Sequence, residues 1–133
     1  MLTALDSSAL LDVVTGSAKY ADRSEEALRK AIGEGGLVVC ESVVAEISPA
    51  FASTKEITEF MGDWQIRFVS GSDESAKLAG EIFRRYLKRG GRAGRIVVDL
   101  LIGAHAVCHA DRLLARDRGF LRDYFSTLQL IEP

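Results

Sequence analysis

Short apolar runs recur along this chain, and each is separated from the next by a longer stretch with helical spacing. No other feature constrains the fold as much. Strands interrupted by helices are not joined as tight hairpins; they pair in parallel through right-handed crossovers. The runs at residues 2–5, 37–40, 65–69, 113–115 and 128–131 read as strands. Helical patterns occupy residues 7–14, 23–33, 42–47, 55–62, 72–88, 98–110 and 119–124. The most regular is 72–88, where Ala76, Ala79, Ile82, Phe83 and Tyr86 share one stripe. Gly16 and Ser17, the glycines after residue 32, Pro49 and the polar segment 89–95 mark breaks. The strands are apolar on both faces, as in a sheet covered by helices on two sides. The expected class is α/β.

At 133 residues and 47% apolar content, the chain suits one domain over residues 1–133 with a single core. Cys40 and Cys108 are isolated, so neither a disulfide framework nor a paired-cysteine zinc motif is present. The first residues lack a basic leader, and no apolar run approaches the roughly 20 residues of a membrane span. A soluble, cytoplasmic protein without membrane attachment is expected.

The net charge of −2 conceals an asymmetry. Residues 1–83 carry 14 acids against 7 bases, whereas residues 84–133 carry 10 bases against 5 acids. Residues 84–95 hold six bases and no acid: Arg84, Arg85, Lys88, Arg89, Arg92 and Arg95. Taken alone, this segment reads equally as a solvated helix end or as a phosphate-contacting patch.

Open α/β sheets bind ligands beyond the carboxyl ends of their strands. Four acids stand at or near such places. Asp6 follows the first strand, Glu46 lies in the short helix after the second, and Asp117 follows the run at 113–115. Asp99 opens the apolar helix before that run. Taken singly, Asp6 and Asp99 are ordinary helix caps and Asp117 an ordinary turn former. Glu46 gains nothing from capping among Val43, Val44, Ala45 and Ile47. Converging carboxylates do not all stay charged without a cation, and an oxygen-only donor set suits Mg²⁺ or Mn²⁺. The set reads as a divalent-metal site.

The sequences around these acids, LDSSALLD at Asp6, VVAEI at Glu46, VDLLIGAHA at Asp99 and LLARDRGF at Asp117, resemble the PIN-domain ribonucleases. Within that family, they resemble the VapC-type toxins of toxin–antitoxin pairs. The spacings of 40, 53 and 18 residues are similar to those of the family, and the resemblance spans essentially the whole chain. It implies a three-layer α/β/α fold with a short, mainly parallel five-stranded sheet. It also implies Mg²⁺- or Mn²⁺-dependent endonucleolytic cleavage of RNA, a homodimer, and inhibition by a cognate antitoxin protein. Asp6, Glu46, Asp99 and Asp117 would be both metal ligands and catalytic residues, the cation activating a water for in-line attack on phosphate. One departure is Ala115 with Arg116 before the last acid, where such proteins often carry a hydroxyl residue. Ser7 or Ser8 is the substitute at hand.

With a carboxylate cluster accepted, the bases gain a purpose, because RNA must be drawn in by cations on the rim. Arg84, Arg89, Arg92 and Arg95, with Arg116 and Arg118 beside Asp117, are the candidates for RNA contact. Asp12 and Asp123 follow site acids by six residues, about 240° around a helix, and are expected to face away. Glu41 is an outside candidate for the site. His105 and His109 lie one turn apart without an evident third ligand, and read as structural. The face carrying Phe60, Met61 and nearby Trp64 reads equally as a dimer or antitoxin surface and as ordinary core packing. Two alternatives stay open: a catalytically silent PIN-like module that binds RNA or protein, and an α/β phosphotransfer protein. The second lacks support, since Ser8 stands where a phosphatase would want a second Asp, and no lysine follows Lys88.

Overall fold

The computed structural model describes residues 1–92, 94, 96–116 and 119–133, apart from the Phe120 side chain. Five strands form one sheet: β1 (Thr3–Leu5), β2 (Leu37–Val39), β3 (Ile66–Phe68), β4 (Arg112–Leu114) and β5 (Leu130–Ile131). Their order is β3-β2-β1-β4-β5, and all four pairings are parallel. β1, β2 and β4 are buried at every residue, as two-sided helical cover requires, while the edge strand β3 exposes Arg67 and Phe68.

The described helices are α1 (Ser7–Thr15), α2 (Ala21–Glu34), α3 (Glu41–Ile47), α4 (Thr54–Asp63), α5 (Asp73–Lys88), α6 (Ile96–His109) and α7 (Gly119–Tyr124), with a 3₁₀ turn at Ser48–Ala50. Their ends follow local chemistry. Gly16 in the left-handed region (φ 67°) stops α1. Ser53 caps α4 by accepting from the Glu56 N–H, and Ser72 and Ser75 form a reciprocal capping box on α5. Every strand and helix expected from the sequence is present within a few residues. The largest differences are two residues: α2 and α6 each start early and β5 starts late, so Asp99 is the fourth residue of α6 rather than its opening one.

The core is built of Leu5, Val38 and Leu113 from the sheet, with Leu10, Leu28, Ile47, Ile82 and Leu100 from the covering helices. Phe60, Met61 and Trp64 pack partly buried against this core; Phe60 meets Phe51 with ring centroids 5.4 Å apart, and Arg29 lies over Trp64. Arg112 is a buried base at the start of β4. Its Nε donates to Thr3 Oγ1 (2.8 Å), and its Nη2 pairs with Glu34 (3.1 Å), which satisfies the charge. No described helix is long and apolar enough to cross a membrane.

The chain runs outward from β1 through β2 to β3, then returns to the other side of β1 for β4 and β5. The switch point is therefore between β1 and β4. A ligand crevice forms at such a point, beyond the carboxyl ends of the strands.

Candidate functional site

Asp6 leaves the end of β1 with extended backbone (φ −82°, ψ 155°), and its N–H donates to the Leu114 carbonyl of β4 (3.0 Å). It occupies the N-cap position of α1 and is 2% exposed, yet its side chain makes no cap bond to that helix. The carboxylate instead accepts from Ser8 Oγ (2.8 Å). Capping therefore does not explain this acid.

Glu46 lies on α3, half-buried, where its Oε1 accepts from Ser7 Oγ (2.8 Å). Asp99 lies half-buried in the first turn of α6, whose dipole favours a carboxylate there. Glu46 and Asp99 line one open cleft of about 660 Å³ together with Ser7, Ser8, Leu11, Ala45, Pro49 and Arg116. Asp117 lies outside the described residues, as do Arg95 and Arg118. Among the described residues, no three His, Cys, Asp or Glu side chains form a metal-holding group.

The two serines thus hold two of the acids. Ser8 also accepts from the Arg116 N–H (3.2 Å), which ties the segment after β4 to Asp6. Ala115 is fully buried, and its N–H donates to Ile131 O. The hydroxyls near these acids come from α1, as the departure at Ala115 suggested. Among the described residues, the donors at the cleft are carboxylates and hydroxyls, with no thiol or imidazole lining it. That chemistry fits Mg²⁺ or Mn²⁺.

Arg116, expected from the sequence to contact RNA beside Asp117, brings a positive charge to the cleft. The residue lines the same cleft, and its guanidinium grips Asp12 side-on, Nε to Oδ2 at 3.0 Å and Nη2 to Oδ1 at 3.1 Å. Asp12 is buried, accepts a further bond from Ser24 Oγ (2.8 Å), and does not line the cleft. Sequence reasoning missed this group, because its members lie 12 to 104 residues apart. The position of Arg116 next to Asp117 was the one available signal.

Glu41 is occupied elsewhere: its carboxylate accepts from the Gly71 N–H (3.0 Å) and fastens the segment between β3 and α5. The histidines secure the same segment. His105 Nε2 bonds the Val69 carbonyl (2.7 Å), and His109 Nε2 bonds Ser72 Oγ (3.0 Å). Burial pushes the His105 pKa down, with a smaller push from His109 and opposing pulls from the Val69 bond and Glu41. A lowered folded-state pKa means that below about pH 6.5 the unfolded chain takes up the proton more readily. Stability should therefore fall as pH drops through and below that value. Melting temperatures from pH 7.5 to 5 should decline more steeply for the wild type than for His105→Gln; parallel curves would remove His105 from the effect.

Aromatic contacts hold the described part of the basic segment. Arg84, Arg85, Lys88, Arg89 and Arg92 are exposed, and Arg89 lies over the Tyr124 ring at 5.3 Å. Tyr124 meets Tyr86 edge-on at 5.9 Å, and the Arg92 N–H donates to the Tyr86 hydroxyl (3.2 Å). A Cβ at Gly91 would fall 2.4 Å from Tyr86 ring atoms, so a side chain there would push that ring from its place. These bases stand where α5 ends, and the chain then enters the turn of α6 that carries Asp99.

A short parallel sheet, with half-buried Glu46 and Asp99 lining one cleft and buried Asp6 at the end of β1, defines an α/β protein with an acidic cleft near its switch point. The family model of the PIN domain matches residues 3–125, and the chain belongs to the PIN domain family. No curated protein matches it in sequence. Solved structures share its fold. VapBC2 from Rickettsia felis, bound to a DNA fragment from its promoter, matches with a TM-score of 0.77 at 16% identity, covering 100% of this chain and 99% of that one. VapBC-1 from nontypeable Haemophilus influenzae gives 0.73 at 18% identity, covering 99% and 98%. FitAcB from Neisseria gonorrhoeae gives 0.66 at 18%, covering 97% and 96%.

Proposed function

We propose that the protein is a Mg²⁺- or Mn²⁺-dependent endoribonuclease that serves as the VapC-type toxin of a toxin–antitoxin pair. The observation that carries this reading is the cleft at the switch point. There, Glu46 and Asp99 line one open space together with Ser8, whose hydroxyl bonds the Asp6 carboxylate, in a chain of the PIN domain family. Asp6, Glu46, Asp99 and, on the sequence spacing, Asp117 would hold the cation. When bound, such a cation lowers the pKa of water toward neutrality and stabilises charge on a phosphate undergoing in-line displacement.

The chain's own residues do the rest. Ser7 holds Glu46 through Oε1, and Ser8 holds Asp6 through Oδ2, so a hydroxyl from α1 fixes the orientation of each acid. The crevice is open to a polynucleotide strand. Arg84, Arg89, Arg92 and Arg95, with Arg116 and Arg118, draw its phosphates toward an otherwise repelling acidic centre. The VapBC and FitAcB complexes of like fold support a partner protein, a cognate antitoxin that closes the cleft. A homodimer in the cytoplasm completes the reading.

The test is incubation of the purified chain with total RNA in Mg²⁺ or Mn²⁺, and again with excess EDTA. Discrete cleavage that EDTA abolishes is the expected result. Intact RNA under every metal condition would favour the silent module, and cleavage that survives EDTA would remove the metal from the account.

A further inference from the structure

We infer that Asp12 is a positioning residue for the reaction. With Tyr20 and Ser24 it locks the Arg116 guanidinium at the cleft, ready to bind a phosphate of the RNA strand. The inference rests on the proposed ribonuclease reading and deepens it.

The observations are these. Asp12 is a buried acid, 4% exposed, on α1 six residues after Asp6, and the metal chemistry leaves it no task. Its two carboxylate oxygens take the Nε–Nη2 edge of Arg116, and Oδ2 also accepts from Ser24 on α2. The Arg116 guanidinium carbon lies 4.1 Å from the centroid of the Tyr20 ring, so the plane is shelved as well as gripped. A guanidinium has five N–H donors in a rigid fork. Side-on pairing with Asp12 engages two, one on Nε and one on Nη2, so the pair leaves further donors of the fork outside it. Its side chain is one-third exposed and lines the cleft that Glu46 and Asp99 also line. A third contact, from the Arg116 N–H to Ser8 Oγ, links this base to the hydroxyl that holds Asp6.

Such an arrangement removes most of the freedom a long side chain would lose on binding. It also predicts a sign that simple electrostatics does not. Replacing Asp12 by Asn removes a negative charge near bound RNA, which by charge alone should tighten binding. If Asp12 positions Arg116, the same change should weaken it.

The test measures binding of a short mixed-sequence single-stranded RNA by fluorescence anisotropy in EDTA, which prevents cleavage, across a salt series. Wild type, Asp12→Asn, Arg116→Ala and Tyr20→Leu are compared well below their melting temperatures, with circular dichroism confirming the fold. Asp12→Asn and Tyr20→Leu should each weaken binding by about threefold or more, with Arg116→Ala at least as weak. Arg116→Ala should also reduce the slope of log K against log salt by about 0.7. If Asp12→Asn does not fold, Tyr20→Leu carries the same test, because it changes no charge. Unchanged or tighter binding in the folded variants would overturn the inference while leaving the ribonuclease reading in place. Failure of the wild type both to bind and to cleave RNA would instead sink that reading, and this inference with it.

Discussion

Asp6→Asn or Asp99→Asn should abolish RNA cleavage while leaving the fold intact. The expected loss is about a thousandfold, because several kcal/mol of transition-state stabilisation depends on the cation these acids would hold. Asn keeps the shape of the side chain, and at position 6 it keeps an acceptor for Ser8 Oγ. Removing one of several neighbouring negative charges also relieves repulsion in the metal-free protein, so melting temperatures should stay level or rise. Rates on a fixed RNA together with thermal melts check both halves. Near wild-type activity in either variant would exclude that acid from an essential role, and a large drop in melting temperature would recast it as structural.

The second large effect concerns the strand that delivers Asp6. Leu5 is 1% exposed on β1, the centre of the sheet, between β2 and β4. Leu5→Ala should cost about 3 kcal/mol, the sum of lost apolar transfer and the cavity left behind. For a chain of this size that is a fall of roughly 10 °C in melting temperature. The carbonyl of Leu114 receives the Asp6 N–H directly above this site, so activity measured well below the new melting point should also fall. A shift of only a degree or two would mean that the sheet centre collapses around the gap without loss.

Much of the molecule could be read from the sequence because its constraints are local. Residues 37–40 and 113–115 are apolar with nothing to alternate, which only a strand covered on both sides tolerates, and Ser72 signals the start of α5 through its own backbone bonds. From strand ends the argument reaches Asp6 and Glu46 without any tertiary information. What stayed hidden was pairing. Helix geometry turns Asp12 away from the Asp6 face, but no spacing rule announces that Ser24 and Arg116 meet it there. Arg112, read as lying just before a strand, is the first residue of β4 and buried, because Thr3 and Glu34 converge on it from residues far away in the chain. The start of α6 was misplaced because residues 96 and 97 carry no cap signal, although the Val97 N–H already bonds back to Gly94 O. The sequence makes Glu41 an outside site candidate and, from their spacing without a third ligand, the two histidines structural; their shared task of fastening residues 69–72 exists only in three dimensions.

The central claim is that the carboxylates of the switch-point cleft form a divalent-cation site. Calorimetric titration with Mn²⁺ of the wild type and of Asp99→Asn tests it without any RNA. The account predicts saturable binding of one or two ions per chain in the wild type, and binding lost or greatly weakened in Asp99→Asn. Equal binding by both proteins, or no binding by the wild type, would contradict it.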